Sequence, residues 1–119
     1  MNPAVWIADD DRAVRYVLAE ALREAGYEVR EFDRAAAVRE AWTKTRPALL
    51  VTDVRMPGED GLGLLAAGRE RGLPVIVMSA YTDVATTAAA YRAGAADYLP
   101  KPFDLDQAVA AVRRALEGL

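Results

Sequence analysis

Short, uninterrupted apolar runs recur along the chain and constrain its fold more than any other feature. Three of them, AVWIA at 4–8, ALLVT at 48–52 and VIVMS at 75–79, have the length and composition of strands buried on both faces. The segment YEVREF at 27–32 alternates between apolar and polar residues, which predicts an edge strand with one wet face. A weaker run at 97–99 predicts a short last strand.

Helical patterns follow each of these runs. The first helix is predicted from one stripe of apolar residues that ends at Gly26, namely Val14, Val17, Leu18, Ala21, Leu22 and Ala25. Asp33 is expected to cap a second helix, the segment 62–72 predicts a third, and the segment 83–94 predicts a fourth with a thin apolar face. Asp104 and Gln107 predict a capping box for the fifth helix. The apolar stripe of that helix is Leu105, Val109, Val112 and Leu116.

Five strands that alternate with five helices predict an α/β fold of the flavodoxin-like, doubly wound type, with a five-stranded parallel sheet. If the second strand is an edge, the strand order is 2-1-3-4-5, and ligands are expected beyond the carboxyl ends of strands one and three. The chain of 119 residues, of which 53% are hydrophobic, suits a single domain over 1–119 with a proper core.

The residue types that the chain lacks exclude several kinds of chemistry. It contains neither histidine nor cysteine, so histidine bases, thiolate nucleophiles and disulfides are excluded, and any chemistry must use carboxylates, hydroxyls, lysine and arginine. Fifteen lysine and arginine residues against eighteen acidic ones give a net charge of −3, which argues against nucleic-acid binding by this domain. No apolar run approaches about 18 residues and the N-terminus lacks a basic segment, so we expect no membrane span, no signal peptide and a cytoplasmic location.

Polar residues stand at the carboxyl ends of four predicted strands. They are Asp9 and Asp10 after the first strand, Asp53 after the third, Ser79 at the end of the fourth and Lys101 following the fifth. Because parallel strands end at one edge of a sheet, we expect these side chains to converge. Three carboxylates without histidine or cysteine suit Mg²⁺, and also Mn²⁺. Asp11 is expected to cap the first helix instead.

A carboxylate at such a site can act as a nucleophile toward phosphorus and form an aspartyl phosphate. Asp53 is the best placed nucleophile, because it lies beside the acid cluster across the predicted switch point. Lys101 and the Ser79 hydroxyl would each take one oxygen of the transferred group. Positioning and electrostatics would then supply most of the catalysis.

Taken together, these motifs resemble the receiver domain of two-component response regulators over essentially the whole chain. The matching segments are Asp9-Asp10, the DVRMPG stretch at 53–58 with Gly61, Ser79-Ala80 and Lys101-Pro102-Phe103. The resemblance implies that Asp53 is phosphorylated from a phosphohistidine on a sensor histidine kinase. It also implies that Asp10, Asp53 and the Arg55 backbone carbonyl ligate Mg²⁺ with Asp9 assisting, and that the Lys101–Pro102 bond is cis.

The segments TDVRMPGEDGL and AYRAGAADYLPKPFDLDQAV are most similar to receivers of NtrC-type transcription activators. This resemblance implies a regulatory domain rather than an enzyme, one that catalyses only its own phosphorylation and dephosphorylation. Phosphorylation would then control homodimerisation or an attached transcription-activating output. The chain departs from the family at Ser79, where threonine is more common, although the hydroxyl is kept.

We expect Ser79 to move toward the phosphoryl group and Tyr98 to turn into the space that it leaves, which would shift the fourth helix and fifth strand. Arg55 and Tyr81 would limit the access of water to the acceptor. Two alternatives stay open: a freestanding single-domain phosphorelay shuttle, and a Mg²⁺-dependent phosphatase with an aspartate nucleophile, similar to the haloacid dehalogenases. A flavodoxin-like nucleotide binder would need a phosphate-binding loop where this chain has three carboxylates.

Overall fold

A computed structural model of the protein describes residues 2–80 and 83–118, which form a parallel sheet with helices on both faces. The strands are β1 (Ala4–Ala8), β2 (Glu28–Phe32), β3 (Leu49–Asp53), β4 (Val75–Ala80) and β5 (Asp97–Lys101). The helices are α1 (Arg12–Glu24), α2 (Ala35–Trp42), α3 (Gly61–Glu70), α4 (Val84–Arg92) and α5 (Leu105–Glu117). The sheet order is β2-β1-β3-β4-β5, so the predicted doubly wound fold and strand order are confirmed.

Two apolar cores lie on opposite faces of the sheet. On β3, Leu50 belongs to the core that includes residues of α2, α3 and α4. Its neighbours Leu49 and Val51 belong to the core that includes residues of α1 and α5. All three side chains are fully buried. Burial on both faces is the reason that the strand is an uninterrupted apolar run instead of an alternating one.

The apolar stripe of α1 differs from the predicted one. The buried residues of this helix are Leu18, Ala19 and Leu22, whereas Val17 is 47% exposed. The buried face of the helix is therefore shifted relative to the predicted stripe and includes Ala19, which that stripe leaves out. The prediction that Val17 is a core residue was wrong.

The stripe of α5 needs a similar correction. Leu105 is the first residue of α5 and is 38% exposed, so its predicted place in the core was wrong. It lies on the outer groove between α1 and α5, beside Ala21 and Val109. The buried residues of α5 are Ala108, Ala111 and Val112. The capping interaction is present, since the Gln107 side chain accepts a hydrogen bond from the Asp104 backbone N–H at 3.2 Å.

Aspartate side chains cap the N-termini of α1, α3 and α4. Asp11 accepts hydrogen bonds at 3.0 and 3.2 Å from the first turn of α1, which confirms the predicted cap. Asp60 caps α3 and Asp83 caps α4 in the same way. Asp33 was predicted to cap α2, and this prediction was wrong, because the residue at the N-cap position of that helix is Arg34. The Asp33 carboxylate instead accepts a hydrogen bond from the adjacent Arg34 side chain at 2.8 Å.

β5 is longer than the predicted segment 97–99 and includes Lys101. Its register pairs Ser79 with Pro100 and Ala80 with Lys101. A proline is tolerated here because β5 is an edge strand, where no partner needs the missing N–H. Lys101 is therefore a residue of the sheet itself and does not merely follow it. β2 also departs slightly from prediction, since it begins at Glu28, one residue later.

The helix α4 has the thin apolar face that the sequence predicts. Ala90 is its one buried residue. Val84 and Tyr91 are 74% and 55% exposed. Few buried apolar contacts hold α4 to the sheet, so this helix is poorly anchored compared with α1 and α5.

The helices are short compared with the thickness of a bilayer. The longest, α1 and α5, have 13 residues each. A helix needs about 20 apolar residues to span a membrane. Within residues 2–80 and 83–118, no helix has the length and apolar character that crossing a membrane requires.

Candidate functional site

Asp9 is the most firmly held residue at the carboxyl edge of the sheet. It directly follows β1 and is fully buried. Its carboxylate accepts hydrogen bonds from Lys101 Nζ at 2.8 Å and from the Asp11 backbone N–H at 2.9 Å. Its own N–H donates to the Phe32 carbonyl at 3.0 Å, and its carbonyl accepts from Arg15 Nη1 at 2.6 Å. Every polar group of Asp9 thus has a partner, as a buried charge requires.

Asp53 ends β3 and lies beside Asp9, across the point where the strand order reverses. Its side chain accepts a hydrogen bond from the Val54 N–H at 3.0 Å, and Lys101 Nζ lies 3.5 Å away. Burial, together with the negative charge of Asp9, raises the pKa of Asp53 to about 6, although Lys101 acts in the opposite direction. The carboxylate is therefore mostly ionised at neutral pH. Burying this charge without a nearby cation would lower the stability of the fold.

Lys101 is the cation between these two carboxylates. Its side chain is 24% exposed. Burial acts to lower the pKa of Lys101, but the hydrogen bond to Asp9 and the charges of Asp9 and Asp53 outweigh it, so the pKa is raised. The residue is charged at any physiological pH. The peptide bond between Lys101 and Pro102 is cis, as the resemblance implies.

The three carboxylates of Asp9, Asp10 and Asp53 each offer an oxygen, and these oxygens lie within 4.8 Å of one another. Asp9 and Asp53 are buried, whereas Asp10 is exposed at the mouth of the site. An oxygen-only donor set with an open side fits Mg²⁺, which keeps several waters and prefers carboxylates. Arg55 follows in the loop after β3, and with Asp10, Met56 and Pro57 it borders a shallow depression beside the carboxylates.

Ser79 and Tyr98 lie on neighbouring strands next to this group. Ser79 is 2% exposed and stands one residue beyond Met78, the register partner of Asp53. The Tyr98 hydroxyl donates to the Ala80 carbonyl at 3.2 Å and lies 3.4 Å from the Ser79 carbonyl. Ser79 was predicted at the carboxyl end of its strand, and the structure places it near the end of β4. Tyr98 lies within β5 opposite Val77, and its hydroxyl reaches the end of β4. Tyr98 is tied to the end of β4 by its hydroxyl.

Three charged contacts around the site were not singled out from the sequence. Arg15 reaches from α1 to the Asp9 carbonyl. Arg39 of α2 holds Glu59 of the β3–α3 loop through two hydrogen bonds of 2.5 Å. Arg55 Nη2 lies 3.0 Å from the Asp83 carboxylate, which caps α4. Sequence periodicity gives no signal for such pairs, because charged residues on helices and loops normally face solvent.

Two further site predictions concern Tyr81 and Gly61. Tyr81 lies outside the described residues. Gly61 donates its N–H to the Val54 carbonyl at 2.9 Å, and a β-carbon at this position would collide with the Asp53 carbonyl oxygen. The loop that follows Asp53 thus folds back tightly against it, which only glycine allows.

Comparisons with known proteins agree with this geometry. A family model described as the response regulator receiver domain matches residues 5–113. The DNA-binding transcriptional regulator NtrC of Escherichia coli is 49% identical over 114 residues, which cover 94% of this chain and 24% of the relative. NtrC of Azospirillum brasilense is 43% identical over 116 residues, with 96% and 24% covered. The chain thus spans about a quarter of the length of the curated relatives it matches.

Solved structures of receiver domains are also similar to this chain. The receiver domain of nitrogen regulatory protein C (NtrC) superposes with a TM-score of 0.86 at 46% identity, covering 98% of this chain and 95% of that one. The receiver domain of NtrX from Brucella abortus superposes with a TM-score of 0.90 at 31% identity, covering 97% and 99%. The chain therefore belongs to the response regulator receiver domain family and is similar to the receiver domain of NtrC.

Proposed function

We propose that residues 1–119 form a single receiver domain that accepts a phosphoryl group on Asp53 from the phosphohistidine of a sensor histidine kinase. The observation that carries the proposal is the position of Lys101, 2.8 Å from Asp9 and 3.5 Å from Asp53, within a cluster of three carboxylates. A buried carboxylate with a pKa of about 6, beside a fixed cation, is an available nucleophile at neutral pH.

The transfer forms a bond between an Asp53 carboxylate oxygen and phosphorus, while the phosphorus–nitrogen bond of the phosphohistidine breaks and its electrons leave with the imidazole. Lys101 neutralises charge on one equatorial oxygen, and the Ser79 hydroxyl donates to another. Asp10, Asp53 and the Arg55 backbone carbonyl, with Asp9 assisting, would hold Mg²⁺, which would supply further neutralisation of phosphoryl charge. These 119 residues contain no histidine, so the donor imidazole comes from another protein or domain.

The signal passes from the site to α4 and β5. Ser79 moves toward the phosphoryl group, and Tyr98 turns toward the space it leaves, breaking the hydroxyl contacts with the carbonyls of Ala80 and Ser79. The weak anchoring of α4, with Ala90 as its one buried residue, supports this helix as the element that shifts. The exposed face of α4 and β5 then controls homodimerisation or an attached transcription-activating output.

The proposal places the domain in the cytoplasm, where the kinase acts, and gives it no direct contact with nucleic acid. The net charge of −3 supports the second statement. The relatives named as DNA-binding regulators are about four times longer than the matched segment, so DNA binding by those proteins has ample sequence outside it.

Incubation with acetyl phosphate, with and without Mg²⁺, tests the proposal by intact mass. We expect one added phosphoryl group that requires both Mg²⁺ and Asp53. Asp53→Asn removes the acceptor. The matched control is Asp97→Asn, which neutralises a carboxylate on β5 that pairs with Arg114 of α5. No gain in wild type, or an equal gain in Asp53→Asn, would overturn the proposal. Sizing of the phosphorylated sample tests dimerisation separately.

A further inference from the structure

Arg15 lies in the first turns of α1, and its side chain turns back toward the acid pair. The side chain is only 15% exposed. Its Nη1 donates a short hydrogen bond of 2.6 Å to the carbonyl oxygen of Asp9. A charged donor at this distance makes a strong hydrogen bond, of the kind that fixes backbone geometry.

The acceptor of that hydrogen bond is shared with the next residue. The Asp9 carbonyl and the Asp10 N–H belong to one planar peptide group, so a group that holds the carbonyl also fixes the plane from which Asp10 extends. Asp10 is exposed, and within the described residues its carboxylate has no hydrogen-bond or ion-pair partner. The orientation of the Asp10 carboxylate therefore depends on its backbone. The Asp11 N–H also holds this turn through the Asp9 carboxylate, but Arg15 is the group that holds the Asp9 carbonyl itself.

Arg15 is in turn held from the edge of the sheet. Its Nε forms an ion pair with Glu31 on β2 at 3.3 Å, without hydrogen-bond geometry, and the Glu31 side chain is 27% exposed. Arg23 lies 3.4 Å from the same carboxylate and also donates to the Val29 carbonyl at 3.2 Å. A chain of contacts thus runs from the edge strand through Glu31 and Arg15 to the Asp9–Asp10 peptide.

We propose that Arg15 is a positioning residue of the metal site, which orients the Asp9–Asp10 peptide so that the Asp10 carboxylate faces Asp9 and Asp53. This inference rests on the proposed function, in which Asp10 is a ligand of Mg²⁺. Residues that orient ligands commonly change metal affinity by about 10- to 100-fold when they are removed.

The sign of the effect separates positioning from electrostatics. Arg15 is a cation near a cation site, so charge alone predicts that its removal strengthens Mg²⁺ binding. Positioning predicts the opposite, because a freely rotating Asp10 must be ordered when the metal binds. A purely structural role for Arg15 predicts a lower melting temperature with unchanged Mg²⁺ affinity in the folded protein.

The test is a Mg²⁺ titration of the unphosphorylated protein, followed by amide NMR shifts at constant ionic strength. We expect Arg15→Gln to weaken Mg²⁺ binding about tenfold. Arg12→Gln, which removes an exposed cation from the same helix, should leave the affinity unchanged or slightly higher. An Arg15→Gln affinity equal to or tighter than that of wild type overturns the inference.

A kinetic measurement gives a second, independent readout. With acetyl phosphate as donor, Arg15→Gln should raise the half-saturating Mg²⁺ concentration about tenfold while the rate at saturating Mg²⁺ stays within about twofold of wild type. If Arg15→Gln fails to fold, Arg15→Lys replaces it in both assays. That variant keeps the charge but loses the simultaneous contacts with the Asp9 carbonyl and Glu31, so we expect a smaller weakening of the same sign.

The results also separate this inference from the proposed function. If wild type itself binds no Mg²⁺, the proposed function and the proposed role of Arg15 are both overturned. If wild type binds Mg²⁺ and is phosphorylated, but neither Arg15→Gln nor Arg15→Lys weakens the binding, the role of Arg15 alone is overturned.

Discussion

The Lys101 ammonium lies 2.8 Å from the fully buried carboxylate of Asp9. It also lies 3.5 Å from Asp53, so one cation partly neutralises two acids that would otherwise repel each other. This arrangement stabilises the resting state and leaves the ammonium within reach of a group transferred to Asp53. The same residue is thus proposed to serve both folding and phosphoryl transfer.

Replacing Lys101 should therefore destabilise the fold. Lys101→Ala leaves Asp9 buried without its cation, and we expect the free energy of unfolding to fall by about 3 kcal/mol, the lower end for breaking a buried ion pair. Urea unfolding at neutral pH measures this loss. Arg114→Ala breaks the exposed pair with Asp97 and should cost less than about 1 kcal/mol. Equal losses in the two variants would show that Lys101 does not carry this role.

The raised pKa of Asp53 makes stability depend on pH in a definite direction. Between its ordinary value of 3.8 and about 6, the folded state keeps a proton on Asp53 that the unfolded state has lost. Stability contributed by this group therefore falls as pH rises through that window, by about 3 kcal/mol in total, and is constant above it.

Asp53→Asn removes this penalty. In the presence of a chelator, we expect the variant to be more stable than wild type by about 3 kcal/mol at pH 7, with the advantage disappearing toward pH 4. Added Mg²⁺ should reduce the advantage, because a bound cation favours the ionised carboxylate. Denaturant unfolding over this pH range provides the measurement. A stability difference that does not change with pH would contradict the assignment.

The Tyr98 hydroxyl ties β5 to the end of β4, and the Tyr98 ring lies beside Tyr91 of α4. Tyr98→Phe loses the contacts with the Ala80 and Ser79 carbonyls and should cost about 1 kcal/mol of stability. Phosphorylation of Asp53 should proceed to the wild-type level. The change in amide hydrogen exchange that it causes across α4 should be largely lost, because the hydroxyl contacts that phosphorylation is proposed to break are already absent. Tyr91→Phe, whose exposed ring lies 6.4 Å from that of Tyr98, is the control. An undiminished exchange response in Tyr98→Phe would exclude the coupling.

Arg55 and Asp83 form an ion pair between the β3–α3 loop and the start of α4. We predict that this pair limits the access of water to the phosphorylated acceptor, so Arg55→Ala should hydrolyse its aspartyl phosphate about two- to fivefold faster. Loss of phosphoryl mass over time measures the rate. Arg34→Ala, which breaks a surface pair with Asp33, should hydrolyse at the wild-type rate. If Arg55→Ala hydrolyses its aspartyl phosphate no faster than wild type, the predicted role of this ion pair in limiting water access is wrong.

The convergence of most of the site residues follows from one sequence property. Asp9, Asp53 and Ser79 stand at the carboxyl ends of strands made of uninterrupted apolar residues, so their convergence depends only on the strands being parallel. Lys101 was predicted just beyond its strand, yet the structure places it within β5. Pro100 obscured this from the sequence, because proline usually argues against a strand and is tolerated here only at the edge.

The errors and omissions have a common cause. Whether Val17 or Ala19 faces the sheet depends on how closely α1 approaches it, which the helical period does not reveal. Arg15 and Glu59 resemble solvent-exposed charges in the sequence, because their partners lie on other elements. Single contacts that depend on tertiary geometry are therefore the part of the site that could not be predicted.

Locating the phosphoryl group is the most direct test of the central claim that Asp53 is the acceptor. After incubation with acetyl phosphate and Mg²⁺, borohydride reduction converts an aspartyl phosphate to homoserine, and peptide mass spectrometry then identifies the modified residue. We predict homoserine at position 53 alone, and none in a sample without Mg²⁺. Modification at Asp9, Asp10 or another residue, or labelling of Asp53 that is independent of Mg²⁺, would contradict this account.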